Sequence, residues 1–265
     1  MTIYKYQGAG NDFVIIDNRD GNIKLSKAQV KTLCDRRFGI GADGLMMLEN
    51  SKNYDFSMRY YNADGQESTM CGNGGRCLVA FAAHRGITNF DFEAIDGFHT
   101  AQILDYSNRR CMVRLKMIDV PNVEVYDKDK YFLNTGSPHL VIFVKDLESY
   151  DVENQGKYWR WHNDFKHGTN VNFVEIKDNK IAVRTYERGV EAETLACGTG
   201  VTAASIASYK AGYKCYKCHK DHHILFHIQT LTDRLSVEFS PTFQNVYLTG
   251  PASYVFTAEF PFEDR

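Results

Sequence analysis

Short runs of apolar, β-branched and aromatic residues, separated by polar turns, dominate the hydrophobic pattern of this chain. Runs of this length predict strands. We predict strands at residues 3–6, 13–17, 45–48, 56–61, 113–117, 173–176, 181–186, 235–239 and 254–260. Three segments follow a helical pattern. They are residues 26–37, which Ser26 opens as a candidate N-cap, and residues 76–84 and 201–210, whose small side chains favour close packing.

An internal repeat organises these elements, because several landmarks recur at a single offset of 126 residues. The run Cys71-Gly72-Asn73-Gly74 returns as Cys197-Gly198-Thr199-Gly200. The same offset relates Tyr60 to Tyr186, Asn11 to Ser137, and the apolar run 13–16 to residues 139–142. We therefore predict two halves of similar structure, each with the order strand, polar loop, cysteine turn and buried helix.

The predicted halves meet near Pro121. We assign residues 1–117 to the first half and residues 118–265 to the second, and residues 251–265 either stay with the second half or return to the first. Strands outnumber helices in both halves, which favours the α+β class.

Composition and charge narrow the class of protein. The 265 residues include 31 Lys and Arg against 33 Asp and Glu, so the formal net charge is −2. This balance argues against a nucleic-acid surface, and no apolar run approaches the roughly 18 residues of a membrane span. Seven cysteines without the spacing of a small disulfide scaffold suit a reducing compartment. We expect a cytoplasmic enzyme or binding domain.

The two Cys-Gly-x-Gly turns carry the candidate chemistry. Each cysteine lies where a glycine-rich turn enters a helix, so N–H groups and the helix dipole favour a thiolate and can hold a carboxylate. A fold that brings both turns together would place Cys71 and Cys197 around one α-carbon. One thiolate would remove the α-proton, and the other thiol would return a proton to the opposite face. We interpret Cys34, Cys77 and Cys111 as structural.

Two further motifs are weaker. Residues 39–44 match G-x-G-x-x-G, but they follow a helix and precede a strand, whereas a dinucleotide site needs the reverse order. Cys215-Tyr216-Lys217-Cys218-His219, with His222 and His223 beyond it, has the form of a haem or metal site. We interpret it as a solvated basic turn, and residues 159–167 as a polar loop. No lysine signals a Schiff base, so we expect no cofactor and no metal.

Five segments together point to one family: Gly8-Ala9-Gly10-Asn11-Asp12-Phe13, Asn62-Ala63-Asp64-Gly65, M-C-G-N-G-G-R-C at residues 70–77, Gly168-Thr169-Asn170-Val171-Asn172, and Y-E-R-G at 186–189 followed by A-C-G-T-G at 196–200. From Tyr4 to at least Ser208 the chain resembles diaminopimelate epimerases. The resemblance implies cofactor-independent interconversion of LL- and meso-diaminopimelate, on the route to lysine and peptidoglycan, by a cytoplasmic homodimer. It also implies two pseudo-symmetric domains, each a mainly antiparallel or mixed β-sheet or barrel around a central helix, with the site in the cleft between them.

The resemblance assigns Cys71 and Cys197 as the paired acid and base. His139 would tune the pKa of the Cys71 thiol, and Glu187 would tune the pKa of the Cys197 thiol while facing an ammonium group of the substrate. The remaining assignments concern binding. Asn11 would orient the reacting end, the carboxylate there would be held by Gly72, Asn73, Gly198 and Thr199, and the distal amino and carboxylate groups by Asn62, Asn170 and Arg188.

Two positions depart from the family pattern and leave substrate preference open. Ser137 stands where Asn is common, and Gly44 stands where many members carry an amide side chain. The nearest alternative is a proline or hydroxyproline racemase, which typically has Cys-Gly-His-Gly at the first cysteine and lacks Tyr-Glu-Arg-Gly. A thiol-redox or zinc-binding module and a non-catalytic binding protein are the alternatives from other classes.

Overall fold

Eighteen strands and four α-helices form within residues 1–214, 216–218 and 223–261, which the computed structural model describes. The first strands are β1 (Thr2–Gly8), β2 (Asn11–Asp17), β3 (Gly44–Glu49), β4 (Phe56–Asn62), β5 (Glu67–Ser68), β6 (Asp91–Ala94), β7 (Gly97–Tyr106) and β8 (Arg110–Lys116). Those that follow are β9 (Val123–Asp127), β10 (Lys130–Asn134), β11 (Pro138–Phe143), β12 (Asn170–Lys177), β13 (Lys180–Glu187), β14 (Ala192–Thr194), β15 (Lys217–Cys218), β16 (Ile224–Gln229), β17 (Arg234–Phe239) and β18 (Tyr247–Glu259). The helices are α1 (Lys27–Cys34), α2 (Gly72–His84), α3 (Val152–Arg160) and α4 (Gly198–Lys210), and a short 3-10 helix spans Leu147–Ser149.

By its internal contacts the chain divides into two compact units. Unit 1 comprises Met1–Leu115 and the residues from Gly250 onward. Unit 2 comprises Lys116–Thr249. The last strand, β18, therefore contributes its early residues to unit 2 and its later residues to unit 1.

Strand pairing in unit 1 closes into an eight-stranded barrel. The order is β1-β2-β3-β4-β6-β7-β8, and β18 pairs with both β8 and β1. The pairs β2–β3 and β4–β6 are parallel. Parallel neighbours need a crossover connection, and α1 and α2 lie in these two crossovers.

Unit 2 repeats this succession of strands and crossovers. Its order is β9-β10-β11-β12-β13-β16-β17-β18. With β10 as the counterpart of β1, the parallel pairs β11–β12 and β13–β16 correspond to β2–β3 and β4–β6. The crossovers contain α3 and α4, as those of unit 1 contain α1 and α2.

A helix of small residues runs through the core of each unit. Eleven of the thirteen residues of α2 are buried, and so are ten of the thirteen in α4. Ala80 and Ala204 have no exposed surface, so a larger side chain at either position would overpack the core at a cost of about 1–3 kcal/mol. The predicted fold class, two pseudo-symmetric α+β domains with a mixed sheet or barrel around a central helix, is confirmed.

The two units differ by one residue in the register of a single strand. Leu45 pairs with Tyr61 in unit 1, whereas its counterpart Val171 pairs with Tyr186 in unit 2. Both tyrosines pack beneath the crossover helix of their unit. Tyr186 is therefore the structural counterpart of Tyr61, and the sequence match to Tyr60 is one residue out of register.

Loops on either side of β13 produce this shift. Before β13, Asp178 and Asn179 both have positive φ and form a two-residue hairpin turn, which is tighter than the β3–β4 connection of unit 1. After β13, six residues separate the paired residues Tyr186 and Glu193, whereas five separate the counterpart pair, Tyr61 and Glu67. The two changes cancel, so α2 and α4 keep the offset of 126 residues.

Several predicted boundaries are wrong. The central helices begin at Gly72 and Gly198, before residues 76 and 201, because the glycine turns themselves form the first helical turn. The helix predicted at residues 26–37 has its Ser26 cap but ends at Cys34, where the Asp35 carboxylate accepts two following backbone amides and turns the chain. Residues 159–160 close α3 and are not part of a loop.

The motif at residues 215–223 is only partly described. Cys215, His219 and His222 lie outside the described residues. None of the helices in the described ranges is long and apolar enough to cross a bilayer.

Candidate active site

Each repeated cysteine is the N-cap residue of a central helix. The Cys71 carbonyl accepts the amide of Gly75 at 2.7 Å, and the Cys197 carbonyl accepts the amide of Val201 at 2.9 Å. Neither cysteine side chain caps its own helix. Each sulfur therefore lies beside the positive end of a helix dipole, as the turn motif predicts.

In unit 1, the side-chain oxygen of Asn11 accepts the thiol of Cys71. The Sγ of Cys71 lies 3.8 Å from Asn11 Oδ1, and Asn73 Nδ2 donates to the same oxygen at 3.4 Å. Asn11 Nδ2 donates to Asp43 Oδ2 at 2.6 Å, which determines how the amide is oriented. Cys71 thus has a hydrogen-bond acceptor beside its thiol within this unit.

Asp43 belongs to an ionic cluster that also contains Asp12. Arg36 donates to Asp43 at 2.7 Å and to both oxygens of Asp12, and Lys5 lies 2.7 Å from Asp12. Burial opposes ionisation of Asp12, but hydrogen bonds from Arg36 and Lys5 outweigh it and hold the pKa of this carboxyl below its usual range. Asp12 is consequently ionised at neutral pH, and Arg36 links it to Asp43, the carboxylate that accepts the Asn11 amide.

A buried arginine orients the second amide of unit 1. Arg76 has no exposed surface and donates from Nη2 to Asn73 Oδ1 at 2.9 Å, and from Nη1 to the Gly72 carbonyl at 3.1 Å. Since the Asn73 oxygen accepts this bond, its Nδ2 group is directed at Asn11.

In unit 2, a buried imidazole takes the position that Phe13 has in unit 1. Asn172 Nδ2 donates to His139 Nδ1 at 2.9 Å and to the Leu140 carbonyl at 3.3 Å, while Thr185 donates to Asn172 Oδ1 at 3.0 Å. These contacts fix the amide, so Nδ1 of the histidine accepts. Burial lowers the pKa of His139 to about 3, so the ring is neutral at pH 7 and has its proton on Nε2.

This tautomer gives direction to a chain of hydrogen bonds that ends at Cys197. His139 Nε2 donates to Ser137 Oγ at 3.0 Å, and Asn170 Nδ2 donates to the same oxygen at 3.2 Å. Ser137 then directs its proton to Thr199 Oγ1, 3.4 Å away, and Thr199 Oγ1 lies 3.4 Å from the sulfur of Cys197. The Thr199 hydroxyl therefore donates to the sulfur.

The two cysteines have opposite hydrogen-bonding environments within their own units. Cys71 donates a hydrogen bond to an amide oxygen, which favours the thiol form. Cys197 accepts a hydrogen bond from a hydroxyl group, which favours the thiolate form. One thiol and one thiolate are the pair that proton transfer across a carbon centre requires.

Unit 2 also groups three of the residues assigned to the distal end of the substrate. The Arg188 amide donates to Asn170 Oδ1 at 2.8 Å, and its guanidinium donates to the His167 carbonyl at 3.3 Å. Glu187 is half-buried at the end of β13, next to Arg188. Asn62 lies in unit 1, exposed at the end of β4.

Glycines at two positions make room for polar neighbours. A Cβ on Gly44 would lie 2.6 Å from the ring of Tyr60 and 2.7 Å from the Tyr61 carbonyl, so Tyr60 occupies the space that an amide side chain would need. A Cβ on Gly200 would lie 2.2 Å from Asn172 Oδ1. The second glycine of the Cys197 turn is thus required by the hydrogen bonds beneath it.

Sequence reasoning missed four residues that orient the polar side chains around the two cysteines. They are Asp43, Arg76, Asn172 and Thr185. A signal existed for Asn172, since it is two residues from Asn170 and so lies on the same face of β12. Asp43 lies in residues 39–44, whose only motif match is the dinucleotide pattern G-x-G-x-x-G.

Three further cysteines are buried, in keeping with the structural interpretation. Cys34 is 4% exposed, and Cys77 and Cys111 have no exposed surface. Burial raises the pKa of Cys34 to about 12 and raises that of Cys77 as well, which suppresses their thiolates. In the part of the chain that the structure describes, no group of three or more His, Cys, Asp or Glu side chains gathers to hold a metal.

Comparisons with known proteins show the family of this chain. The family model described as diaminopimelate epimerase matches residues 3–114 and 131–255. A diaminopimelate epimerase from Flavobacterium psychrophilum is 47% identical over 97% of this chain and 98% of its own length. One from Aquifex aeolicus is 40% identical over 97% of this chain and 96% of its own length.

Solved structures with little sequence identity share the fold. A Bacillus anthracis phenazine biosynthesis protein of the PhzF family superposes with a TM-score of 0.75 at 15% identity, covering 99% of both chains. A hydroxyproline epimerase from Agrobacterium vitis gives a TM-score of 0.65 at 13% identity, covering 98% of this chain and 91% of that one. The matched turns, the match of the family model to both halves and the relatives at 40–47% identity lead to one conclusion: the chain belongs to the diaminopimelate epimerase family.

Proposed function

We propose that the protein interconverts LL- and meso-diaminopimelate by moving a proton at one α-carbon between two cysteines, without a cofactor. The observation that carries this proposal is the matched pair of N-cap cysteines whose hydrogen bonds favour a thiol at Cys71 and a thiolate at Cys197. Family membership supplies the substrate, because the relatives are diaminopimelate epimerases.

In the proposed reaction, one cysteine thiolate takes the α-proton and becomes a thiol. The electron pair left on the carbon is delocalised into the carboxylate, whose growing negative charge is stabilised by N–H groups at the two helix N-termini. The other cysteine then gives its proton to the opposite face and becomes a thiolate. The reverse stereoisomer starts from the exchanged protonation state, so each turnover leaves the enzyme ready for the opposite direction.

Binding of the two ends of the substrate is proposed as follows. The reacting carboxylate is held by residues in the first turns of α2 and α4, namely Gly72, Asn73, Gly198 and Thr199. Asn11 orients that end of the substrate. Arg188 offers a planar guanidinium to the distal carboxylate, a geometry that carboxylates accept through two parallel hydrogen bonds. Glu187 faces the distal ammonium group, and Asn62 and Asn170 complete this end.

The roles of two polar residues in unit 2 follow from their contacts. Asn170 is already fixed by Ser137, Pro138 and Arg188, so it contributes to binding by holding the Arg188 backbone. His139 is neutral and lies at the start of the hydrogen-bond chain to Cys197, so its influence on a thiol is through hydrogen bonds and not through charge.

We further propose that the enzyme works in the cytoplasm as a homodimer, on the route to lysine and peptidoglycan precursors. Sedimentation of the purified protein tests the dimer directly, since a single species at the mass of the 30.3 kDa chain would contradict it.

The deciding experiment is incubation of the reduced, metal-stripped protein with LL-diaminopimelate in deuterated water. NMR should show loss of the α-proton signal and growth of the meso isomer. The control is Cys34→Ala, which removes a buried thiol outside both turns. Absence of exchange in folded protein would exclude this substrate. Exchange with proline or hydroxyproline alone would favour the racemase alternative. The observation that supports this alternative is the fold shared with the hydroxyproline epimerase.

A further inference from the structure

The loop between β13 and β14 carries Arg188 and, counted between paired residues, is one residue longer than its counterpart in unit 1. Glu191 lies in this loop with a φ of 59°, in the left-handed region that disfavours side chains other than Gly and Asn. A glutamate held in this conformation is strained, so its contacts must stabilise it.

A single oxygen of Glu191 gathers donors from two parts of unit 2. Its Oε1 accepts Nε and Nη2 of Arg160, at 3.0 and 2.9 Å, and the backbone amide of Gly189 at 2.9 Å. The Arg160 side chain is 8% exposed, and that of Glu191 is 36% exposed. Arg160, largely buried on α3, is thus ion-paired with Glu191, and Glu191 also holds the backbone amide of Gly189, the residue after Arg188.

The backbone of Glu191 closes the same loop. Its amide donates to the Glu187 carbonyl at 2.8 Å, and its carbonyl accepts the Tyr186 hydroxyl at 2.8 Å. Both ends of the turn 187–191 are therefore joined through Glu191, with Arg188 between them.

Arg160 also contacts the segment on the other side of Arg188. A Cβ on Gly168 would lie 1.5 Å from Arg160 Nη1, so the guanidinium packs directly on this glycine. The preceding carbonyl, of His167, accepts the Arg188 guanidinium at 3.3 Å. The buried guanidinium of Arg160 thus contacts both the turn 187–191 and the 167–168 segment, which together hold the Arg188 side chain.

We propose that Arg160 and Glu191 are positioning residues that set the orientation of the Arg188 guanidinium for the distal carboxylate of the substrate. This inference rests on the proposed binding role of Arg188. Neither residue contacts substrate; they act by holding the turn 187–191 and the 167–168 segment in place.

The test compares steady-state kinetics of Glu191→Gln with those of Glu193→Gln. Glu193 is the matched control, because its carboxylate pairs at 2.6 Å with Arg184, which lies on the neighbouring strand outside the turn 187–191. Loss of positioning at Arg188 should raise KM for diaminopimelate about tenfold in Glu191→Gln, with kcat changed less than about threefold. Glu193→Gln should leave both constants near wild type.

Glu191→Gln removes the negative charge that pairs with the buried Arg160, and this loss alone can lower the stability of the protein. The double variant Arg160→Met/Glu191→Gln removes both charges. It should fold with a Tm close to wild type and keep the raised KM. A double variant with wild-type KM would overturn the proposal, because the effect of the single variant would then be one of stability alone.

Arg188→Lys separates this inference from the function on which it rests. If the pair acts through Arg188, adding Glu191→Gln to Arg188→Lys should raise KM no further, since the two changes remove one interaction. Additive increases would overturn the positioning role. An unchanged KM in Arg188→Lys alone would instead refute the binding role of Arg188 itself.

Discussion

The side-chain nitrogen of Asn11 lies 2.6 Å from a carboxylate oxygen of Asp43, and this contact turns the amide oxygen of Asn11 towards the thiol of Cys71. An amide can present a donor or an acceptor to its neighbour, and a carboxylate removes that choice because it only accepts. The ionic cluster around Arg36 therefore determines which hydrogen-bonding group Cys71 meets.

Asp43→Asn is expected to lower kcat about tenfold, because the substituted amide can face Asn11 in either orientation. KM should change less than kcat, since Asp43 contacts no substrate in the proposed mechanism. Steady-state kinetics in both reaction directions measures this. Asp20→Asn, which replaces an exposed carboxylate elsewhere in unit 1, is the control. Equal effects in the two variants would show that Asp43 has no specific role.

Loss of either active cysteine should lower epimerisation by about 10²- to 10⁴-fold, the contribution of a positioned acid or base. Cys71→Ala and Cys197→Ala should each keep the wild-type Tm within a few degrees, whereas Cys34→Ala should keep activity. The measurement is the rate of LL-to-meso conversion by NMR together with thermal unfolding. Activity near wild type in either variant would refute the two-cysteine mechanism.

Gly200→Ala should destabilise the protein and impair catalysis, because the added methyl would lie 2.2 Å from Oδ1 of Asn172, the residue whose Nδ2 donates to His139. We expect a loss of about 1–3 kcal/mol in the free energy of unfolding. The matched change is Gly74→Ala in unit 1, where the nearest atom is the flexible Met46 sulfur at 3.2 Å. Urea unfolding should rank Gly200→Ala as the more costly, and the reverse ranking would contradict the structure.

Mild acid should destabilise the folded protein through His139. The pKa of this group is lowered from 6.5 to about 3 on folding, so the unfolded chain binds the proton more readily. Its stabilising contribution is therefore complete above pH 6.5 and is lost as the pH falls towards 3, with a slope of at most about 1.4 kcal/mol per pH unit.

Urea unfolding between pH 7 and pH 4.5 isolates this effect, since the ordinary pKa of aspartate lies below that window. His139→Gln should be less stable than wild type at pH 7 and should show a flatter dependence on pH. Parallel pH profiles for the two proteins would mean that His139 does not titrate as the structure requires.

The repeat could be read from the sequence because it preserves chemistry at fixed positions. Cys71 and Cys197 each keep a glycine turn and a helix of small residues, so the N-cap placement followed from local sequence alone. The eight-strand order and the register could not be read, because pairing partners far apart in the chain are selected by packing. The slip that puts Tyr186 opposite Val171 shows this directly.

The residues that orient the site were hidden for a different reason. Asp43 and Asn172 act through the direction of a hydrogen bond, which depends on the side chain on the far side of each amide. His139 was assigned as a partner of Cys71, and sequence alone gave no hint of the bonds that lead from it to Ser137 and Thr199. Such directions become visible only when donors and acceptors are placed together.

The way in which β18 closes the barrel of unit 1 has a consequence for how the chain is made. On the ribosome, β1 and β8 emerge early, but their shared neighbour is translated only after the whole of unit 2. Until then β1 and β8 each have one unpaired edge, which can form hydrogen bonds with the wrong strand. Nascent chains arrested before residue 250 should be cleaved readily in β1, and completed chains should resist. The half that is synthesised first is thus the half that finishes folding last.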